Sequence, residues 1–249
     1  MDLNININKK KFHNNGYFKI KNFFNKEQIS VINYEIMKSK KTKKYKDRNN
    51  KIRRIEKFYN KGKFLKEINT RFIILIKKIL NLKVLIFKDK YNIKPPKGEG
   101  YFAHYDGIFY FINSRKQKKR GWYEYGNLFI NILVAIDNCT HENGTIEIAK
   151  SDENNFRTLI KNTKNDGTPN LLKKVEKKKS FKKIKLNSGD LLVFKNTCAH
   201  RSAKNKSKNN RRILYYTYLH KKFGNHYNNY FKHKDLSKNR SEKSLSGEK

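Results

Sequence analysis

The chain has 249 residues, enough for one large domain with a real core. Its 60 Lys and Arg against 21 Asp and Glu give a net charge of +39, and two cysteines are too few for a disulfide framework, which fits a reducing, cytoplasmic setting. The N-terminus "MDLNININKKKF" lacks the apolar stretch of a secretory signal, and lysines break the greasiest run, "RFIILIKKILNLKVLIF", so no bilayer span is expected.

In chain order, "YFKIKNFF" reads as a short strand. Asn25 is placed to cap a helix starting at Lys26, with Gln28 at the capping-box position and Ile29, Ile32, Ile36 and Met37 on one face. The run "KSKKTKKYKDRNNK" (38–51) reads as a solvated, mobile charge segment. A helix follows over 64–80, with Phe64, Leu65, Ile68, Phe72, Leu75 and Ile76 as its buried stripe.

From residue 83 the pattern changes to short strands: "KVLIFKDKYNI", "GYFAHYD", "GNLFINILVAID", "TIEIAKS", "KKIKLN", "DLLVFKN" and "RRILYYTYL". Turn signals such as "PPKGEG", "HENG" and "NSGD" separate many of them. Strands after a helical start imply a mainly β fold, a sandwich or barrel with flanking α-helices. One domain is expected over 1–233, with a helical section over 1–82, a β core over 83–220, and a polar, disordered tail over 234–249. The basic stretch "FINSRKQKKRGWYEYG" reads equally as a lid over a site and as a solvated loop.

His104 and Asp106 form a His-X-Asp pair inside "YFAHYDGIFYF". Two positions apart at a strand end, both side chains point to the same side and can share one metal ion. The candidate third ligand is His200 in "GDLLVFKNTCAHRS", anchored behind a tight turn and a buried strand. Two histidines and a carboxylate make the facial triad of non-haem Fe(II) oxygenases, which leaves coordination positions open. Arg211 lies eleven positions beyond His200 and opens the strand "RRILYYTYL". Its planar fork suits a carboxylate, so a metal with open positions beside it matches a 2-oxo diacid. Separately, a His-X-Asp pair is commonly a surface hydrogen bond, and a lone histidine beside a core strand is commonly packed and satisfied. Cys198 reads as a small packed residue, His141 and Glu142 as exposed turn flanks, and His220, His226 and His233 as surface groups.

Order and spacing together resemble the phytanoyl-CoA dioxygenase family of Fe(II)/2-oxoglutarate oxygenases, over about Asn15 to Leu219. The resemblance is carried by "NNGYFKIKNFFNKEQI", "FKDKYNIKPPKGEGYFAHYDG", "ILVAIDNCTHENGTIEIAKSDE" and "NSGDLLVFKNTCAHRSAKNKSKNNRRILYYTY". It implies a double-stranded β-helix, or jelly roll, with His104, Asp106 and His200 as Fe(II) ligands and Arg211 as the 2-oxoglutarate anchor. More loosely, it places Arg54 near the co-substrate and Asn131 or Leu133 on a pocket-lining strand. Ser151, Asp152 and Glu153 stand where the family usually has Gly-Ser-His. The activity implied is hydroxylation of a small molecule with O2, releasing succinate and CO2. The aromatics Tyr101, Phe102, Tyr105 and Phe109 are expected to hold the His-X-Asp pair rigid and dry.

The surplus of Lys, Asn and Ile matches AT-rich coding, so nucleic-acid binding is expected only as a non-specific, salt-sensitive effect. The same surplus hints weakly at an anionic substrate. Two other classes fit the same sequence: a non-catalytic polyanion-binding protein on a jelly-roll scaffold, and a cupin-type metalloenzyme that does not use 2-oxoglutarate.

Overall fold

A computed structural model describes residues 4–236 apart from 114 and 154. The chain opens with helix α1 (Ile5–Asn15), strand β1 (Tyr17–Ile20) and helix α2 (Lys26–Lys38). A ribbon of β2 (Lys43–Lys46) and β3 (Ile52–Glu56) leads into helix α3 (Lys63–Leu80). Then come the long strand β4 (Val84–Lys94), β5 (Tyr101–His104), a hairpin of β6 (Phe111–Ile112) and β7 (Lys118–Lys119), β8 (Phe129–Ala135) and β9 (Ile146–Ser151). Short helices α4 (Phe156–Leu159) and α5 (Lys173–Lys177) precede β10 (Lys182–Lys183), β11 (Leu191–Lys195), β12 (Cys198–Ser202) and β13 (Arg211–His220). Helix α6 (Tyr227–Leu236) ends the described chain.

Seven strands pair antiparallel in the order β1-β11-β8-β13-β4-β3-β2, and four more in the order β10-β9-β12-β5. Side-chain alternation decides how these layers stack. On β8, Ile130, Ile132 and Val134 join a cluster with residues of α1, α2, α3 and α6, while Leu133 and Ala135 join another with Ile146 and Ile148 of β9 and Cys198 of β12. On β13, Leu214, Tyr216 and Tyr218 face the helices, and Ile213 and Tyr215 face the smaller sheet. The large sheet is thus covered by helices on one face and by the small sheet on the other, the mainly β architecture with flanking helices that the sequence implies.

Local chemistry explains the helix starts. Asn25 and Gln28 form the expected capping box around α2. Gly62 offers α3 no side-chain cap, and Glu35 of α2 supplies one, accepting from the backbone N–H of Phe64 at 3.2 Å and of Leu65 at 2.9 Å. Along α3, Leu65, Ile68, Phe72, Leu75 and Ile76 are buried as expected, together with Ile79, while Phe64 is only partly buried.

Several expectations are corrected. Residues 5–15 form a helix inside the section read as helical, although no element was assigned to them and only Asn8 and Phe12 are buried. Met37 is 41% exposed, because the buried face of α2 consists of Ile29, Ile32 and Ile36. The charge run over 38–51 contains strand β2, which extends the large sheet through β3; three strands therefore come from the section read as helical. The expected tail begins too early, since α6 carries residues 234–236, tied down by Lys234 to Glu56 at 2.6 Å and by Lys43 to Asp235. The rest of that expectation, 237–249, lies outside the described residues. Among the described residues no helix is long and apolar enough to cross a membrane.

Candidate metal centre

His104 ends β5 and His200 sits in the middle of β12, and the two are directly paired across the antiparallel ladder. That register brings their rings to 4.2 Å between centroids. Asp106 follows β5 by two residues. Its Oδ1 is 4.0 Å from His104 Nε2, and its Oδ2 is 3.8 Å from His200 Nε2. One ligand atom from each residue falls within 4.8 Å of the others, and among the described residues these three form the cluster suited to a metal ion.

The surroundings leave the Nε2 atoms free to ligate. His104 Nδ1 is 2.7 Å from the Phe102 carbonyl and His200 Nδ1 is 3.0 Å from the Cys198 carbonyl, so each Nδ1 donates and each Nε2 carries its lone pair inward. Burial, with His200 beside it, pushes His104 down to about 3, and burial lowers His200 against the pull of Asp106. Burial alone would raise the Asp106 carboxyl, but His200, Lys90 and His104 outweigh it and hold it below the usual range. Two neutral imidazoles and an ionised carboxylate are the donor set a divalent first-row metal requires.

Asp106 is held from three sides. Asn131 on β8 donates from Nδ2 to Asp106 Oδ2 at 2.9 Å, and Thr217 on β13, its partner in register, donates to Asn131 Oδ1 at 2.7 Å. The backbone N–H of Asp106 donates to the Asn196 carbonyl at 3.1 Å, and Asn196 Nδ2 returns a bond of 3.3 Å to the Asp106 carbonyl. Gly107 then adopts φ +74°, and a Cβ there would stand 2.2 Å from the Trp122 ring. The Phe194 ring packs edge-on to His200. Tyr105 is fully buried beneath the pair, whereas Phe102 is 54% exposed and shields nothing.

The three residues open into a cavity of about 610 Å³ that Arg54 and Arg211 also line. Arg211 begins β13 opposite Lys94, the last residue of β4, and is 2% exposed. Its Nη1 donates to the Gly144 carbonyl at 3.0 Å, and its Nε is buried without a partner. Lys94 donates to the Ala203 carbonyl at 2.6 Å and to Ser202 Oγ at 2.9 Å. Burial, with Arg211 beside it, pushes Lys94 down to about 6. Ser202 also lines the cavity, and its oxygen accepts from Lys94, so its own proton is left to donate inward. A buried guanidinium without a facing carboxylate, its orphaned N–H and the neighbouring Lys94 amine make a cradle for an anion. Arg54 donates to Asn92 at 3.1 Å on another part of the wall. Asn131 lies behind Asp106 and does not line the cavity.

Sequence reasoning did not assign Ser202, Lys94, Asn196 or Thr217. The first two lie in the closing motif and in the Lys-Pro-Pro segment already noticed there. It also read His233 as a surface group. That imidazole is exposed, but it stacks on Tyr125 and lines the cavity with Tyr230 and Lys234. The basic stretch after the pair folds as the β6–β7 hairpin, and its Phe111, Ile112 and Lys118 line the cavity too. His141 and Glu142 are exposed, as expected. Cys198 is fully buried and pushed up to about 12, chiefly by burial, which fits packing and not nucleophilic attack.

A family model described as "Phytanoyl-CoA dioxygenase (PhyH)" matches residues 12–213. The 2-aminoethylphosphonate dioxygenase of uncultured bacterium HF130_AEPn_1 is 28% identical over 185 residues, which is 73% of this chain and 64% of that protein. The methylphosphonate hydroxylase of Gimesia maris (strain ATCC 29201 / DSM 8797 / 534-30) is 29% identical over 135 residues, 54% of this chain and 45% of that protein. The chain therefore spans about half to two-thirds of the length of these curated relatives. Among solved structures, the epimerase SnoN in complex with Fe3+, alpha ketoglutarate and nogalamycin RO aligns with a TM-score of 0.66 at 11% identity. That match covers 88% of this chain and 85% of the other, and it shows a shared fold.

Proposed function

Because the chain belongs to the phytanoyl-CoA dioxygenase family, we propose that it is an Fe(II)- and 2-oxoglutarate-dependent dioxygenase that hydroxylates a small molecule. The observation that carries this reading is a meeting in one cavity. His104, Asp106 and His200 converge at one place in it, and a buried arginine with an unpartnered N–H lies on the wall nearby.

His104, Asp106 and His200 would hold the metal through their inward nitrogen and carboxylate atoms. With 2-oxoglutarate and O2, Fe(II) supplies the oxidising power that puts a hydroxyl on the substrate and releases succinate and CO2. Arg211 would bind the far carboxylate of the co-substrate, with Ser202, held by Lys94, donating a second hydrogen bond. Asn131 and Thr217 fix the Asp106 carboxylate, so that one oxygen is already engaged and the other faces the site. Trp122, Phe109 and Tyr125 line the cavity and exclude water. Asp106 would occupy the position that a halide would need on the metal, which argues against halogenation. The small-molecule class agrees with the two phosphonate-directed relatives by name. A cytoplasmic setting and a single oxygenase domain that includes α6 complete the reading.

A cupin-type enzyme without 2-oxoglutarate would leave the orphaned Arg211 N–H unexplained. A screen for succinate release across small-molecule classes tests the proposal. Release must require added Fe(II) and 2-oxoglutarate and must vanish in Asp106→Ala. Release that survives this substitution, or that never occurs with any substrate, refutes the reading.

A further inference from the structure

Alternate residues of β4 form one wall of the cavity: Lys88, Lys90 and Asn92 line it, and Lys94 lies beyond them beside Arg211. The register with β13 sets them on successive rungs, with Lys94 opposite Arg211, Asn92 opposite Ile213, Lys90 opposite Tyr215 and Lys88 opposite Thr217. Lys90 therefore stands four residues from the Arg211 rung, roughly 13 Å along the strand. The Arg211–Lys94 rung is the cradle assigned above to the far carboxylate of the co-substrate.

The cations of this wall are not equivalent. Lys88 is 3.8 Å from Glu56 and lies over the Trp122 and Tyr230 rings, while Lys234 pairs with Glu56 at 2.6 Å and Arg54 donates to Asn92. Lys90 has no hydrogen-bond acceptor among the described residues, and its ammonium rests on the Tyr215 ring at 4.4 Å. Burial pushes it down to about 7. Lys90 feels the charge of the Asp106 carboxylate but makes no hydrogen bond to it, so a partly buried ammonium is left with donors that a ligand can complete. Of the Lys and Arg side chains that line the cavity, Arg54, Lys88 and Lys234 gather around Glu56 and Arg201 pairs with Glu147 and Glu176, whereas Lys90 forms no ion pair with a carboxylate among the described residues. Lys118, over the Tyr110 ring at 4.1 Å, adds a second cation from the hairpin.

We propose that Lys90 binds an oxyanion head group on the substrate, a phosphonate, phosphate or carboxylate, next to the metal centre. This rests on the oxygenase reading above and adds the substrate class to it. The group accepts charge-assisted hydrogen bonds from the ammonium, which a neutral isostere does not.

The test is calorimetric titration of the anaerobic Fe(II)–2-oxoglutarate protein with methylphosphonate, 2-aminoethylphosphonate, inorganic phosphate and acetate, each against acetamide as the neutral control. Wild type binds at least one oxyanion and not acetamide. Lys90→Met weakens that binding at least tenfold, Lys90→Arg restores most of it, and 2-oxoglutarate affinity stays within twofold in both. The proposal is overturned if no oxyanion binds wild type or if Lys90→Met binds as wild type does. It is equally overturned if Lys90→Met loses 2-oxoglutarate instead, which would assign Lys90 to the co-substrate. Melting temperatures confirm that the variants fold. Absence of the visible Fe(II)–2-oxoglutarate band in wild type would sink the oxygenase reading itself, a separate outcome.

Discussion

The Asn131 amide donates to Asp106 Oδ2 at 2.9 Å, and Asn131 is in turn oriented by Thr217 across the β8–β13 ladder. The large sheet thereby sets the angle of a carboxylate that belongs to the loop after β5. Removing such an outer partner typically weakens metal binding by about 10- to 100-fold. Asn131→Leu should lower Fe(II) affinity by that order, read by calorimetry with a slower-oxidising metal such as Co(II) as control. Thr217→Val should act in the same direction and more weakly, because Asn131 keeps its own bond to Asp106. Unchanged affinity in Asn131→Leu would mean that the carboxylate needs no support from the sheet.

Arg211→Met removes the guanidinium whose Nε is buried without a partner. A hydrogen bond to a charged group contributes about 1.5–3 kcal/mol, so 2-oxoglutarate should bind about 10- to 100-fold more weakly. Metal affinity without 2-oxoglutarate should not change. Arg211→Lys should recover only part of the loss, since an ammonium cannot reproduce the fork.

Acid should destabilise the metal-free protein early. The His104 imidazole sits at about 3 in the folded chain, against the usual value near 6.5, so the unfolded chain binds more protons between those limits. Stability from this group is fully present above about 6.5 and falls as pH drops toward 3, by about 1.4 kcal/mol per unit once the unfolded imidazole is protonated. His200 shifts in the same direction. Urea unfolding of the metal-free chain at pH 7.5, 6 and 5 should show this slope, and His104→Gln should flatten it. A parallel slope in the variant would contradict the assignment.

Gly107→Ala is expected to damage the site through the backbone. Gly107 is at φ +74°, its carbonyl accepts from Trp122 N–H at 2.9 Å, and an added Cβ would meet the Trp122 ring. Left-handed backbone costs an alanine about 1–2 kcal/mol and overpacking about 1–3 kcal/mol more. The urea midpoint should fall accordingly, and the cavity wall at Trp122 should loosen, seen as a red-shifted emission of this single tryptophan.

The triad was legible in the sequence because its chemistry is local: a His-X-Asp spacing and a histidine anchored behind a buried strand. The sandwich was legible from short alternating strands with turn signals between them. Other parts depend on partners far along the chain. Lys94 reads as one lysine among many until β13 brings Arg211 opposite it. Strand β2 hides in a charge run because an edge strand tolerates lysines on its open side. Helix α1 has no apolar stripe to reveal it. The end of α6, from residue 234, looked like tail because its polar residues are paired with Glu56 and Lys43, which precede it by well over a hundred positions. Asn131 was expected on a strand lining the pocket; it stands behind Asp106 instead, and only the register with Thr217 shows that it serves the carboxylate.

The central claim is that His104, Asp106 and His200 hold Fe(II) while Arg211 anchors 2-oxoglutarate beside it. Anaerobic addition of Fe(II) and then 2-oxoglutarate, followed by visible absorption, tests this most directly. The account predicts a weak charge-transfer band in wild type, its loss in Asp106→Ala, and its recovery in Arg211→Met only at much higher 2-oxoglutarate. A wild-type protein without the band, or an Asp106→Ala variant that keeps it unchanged, would contradict the account.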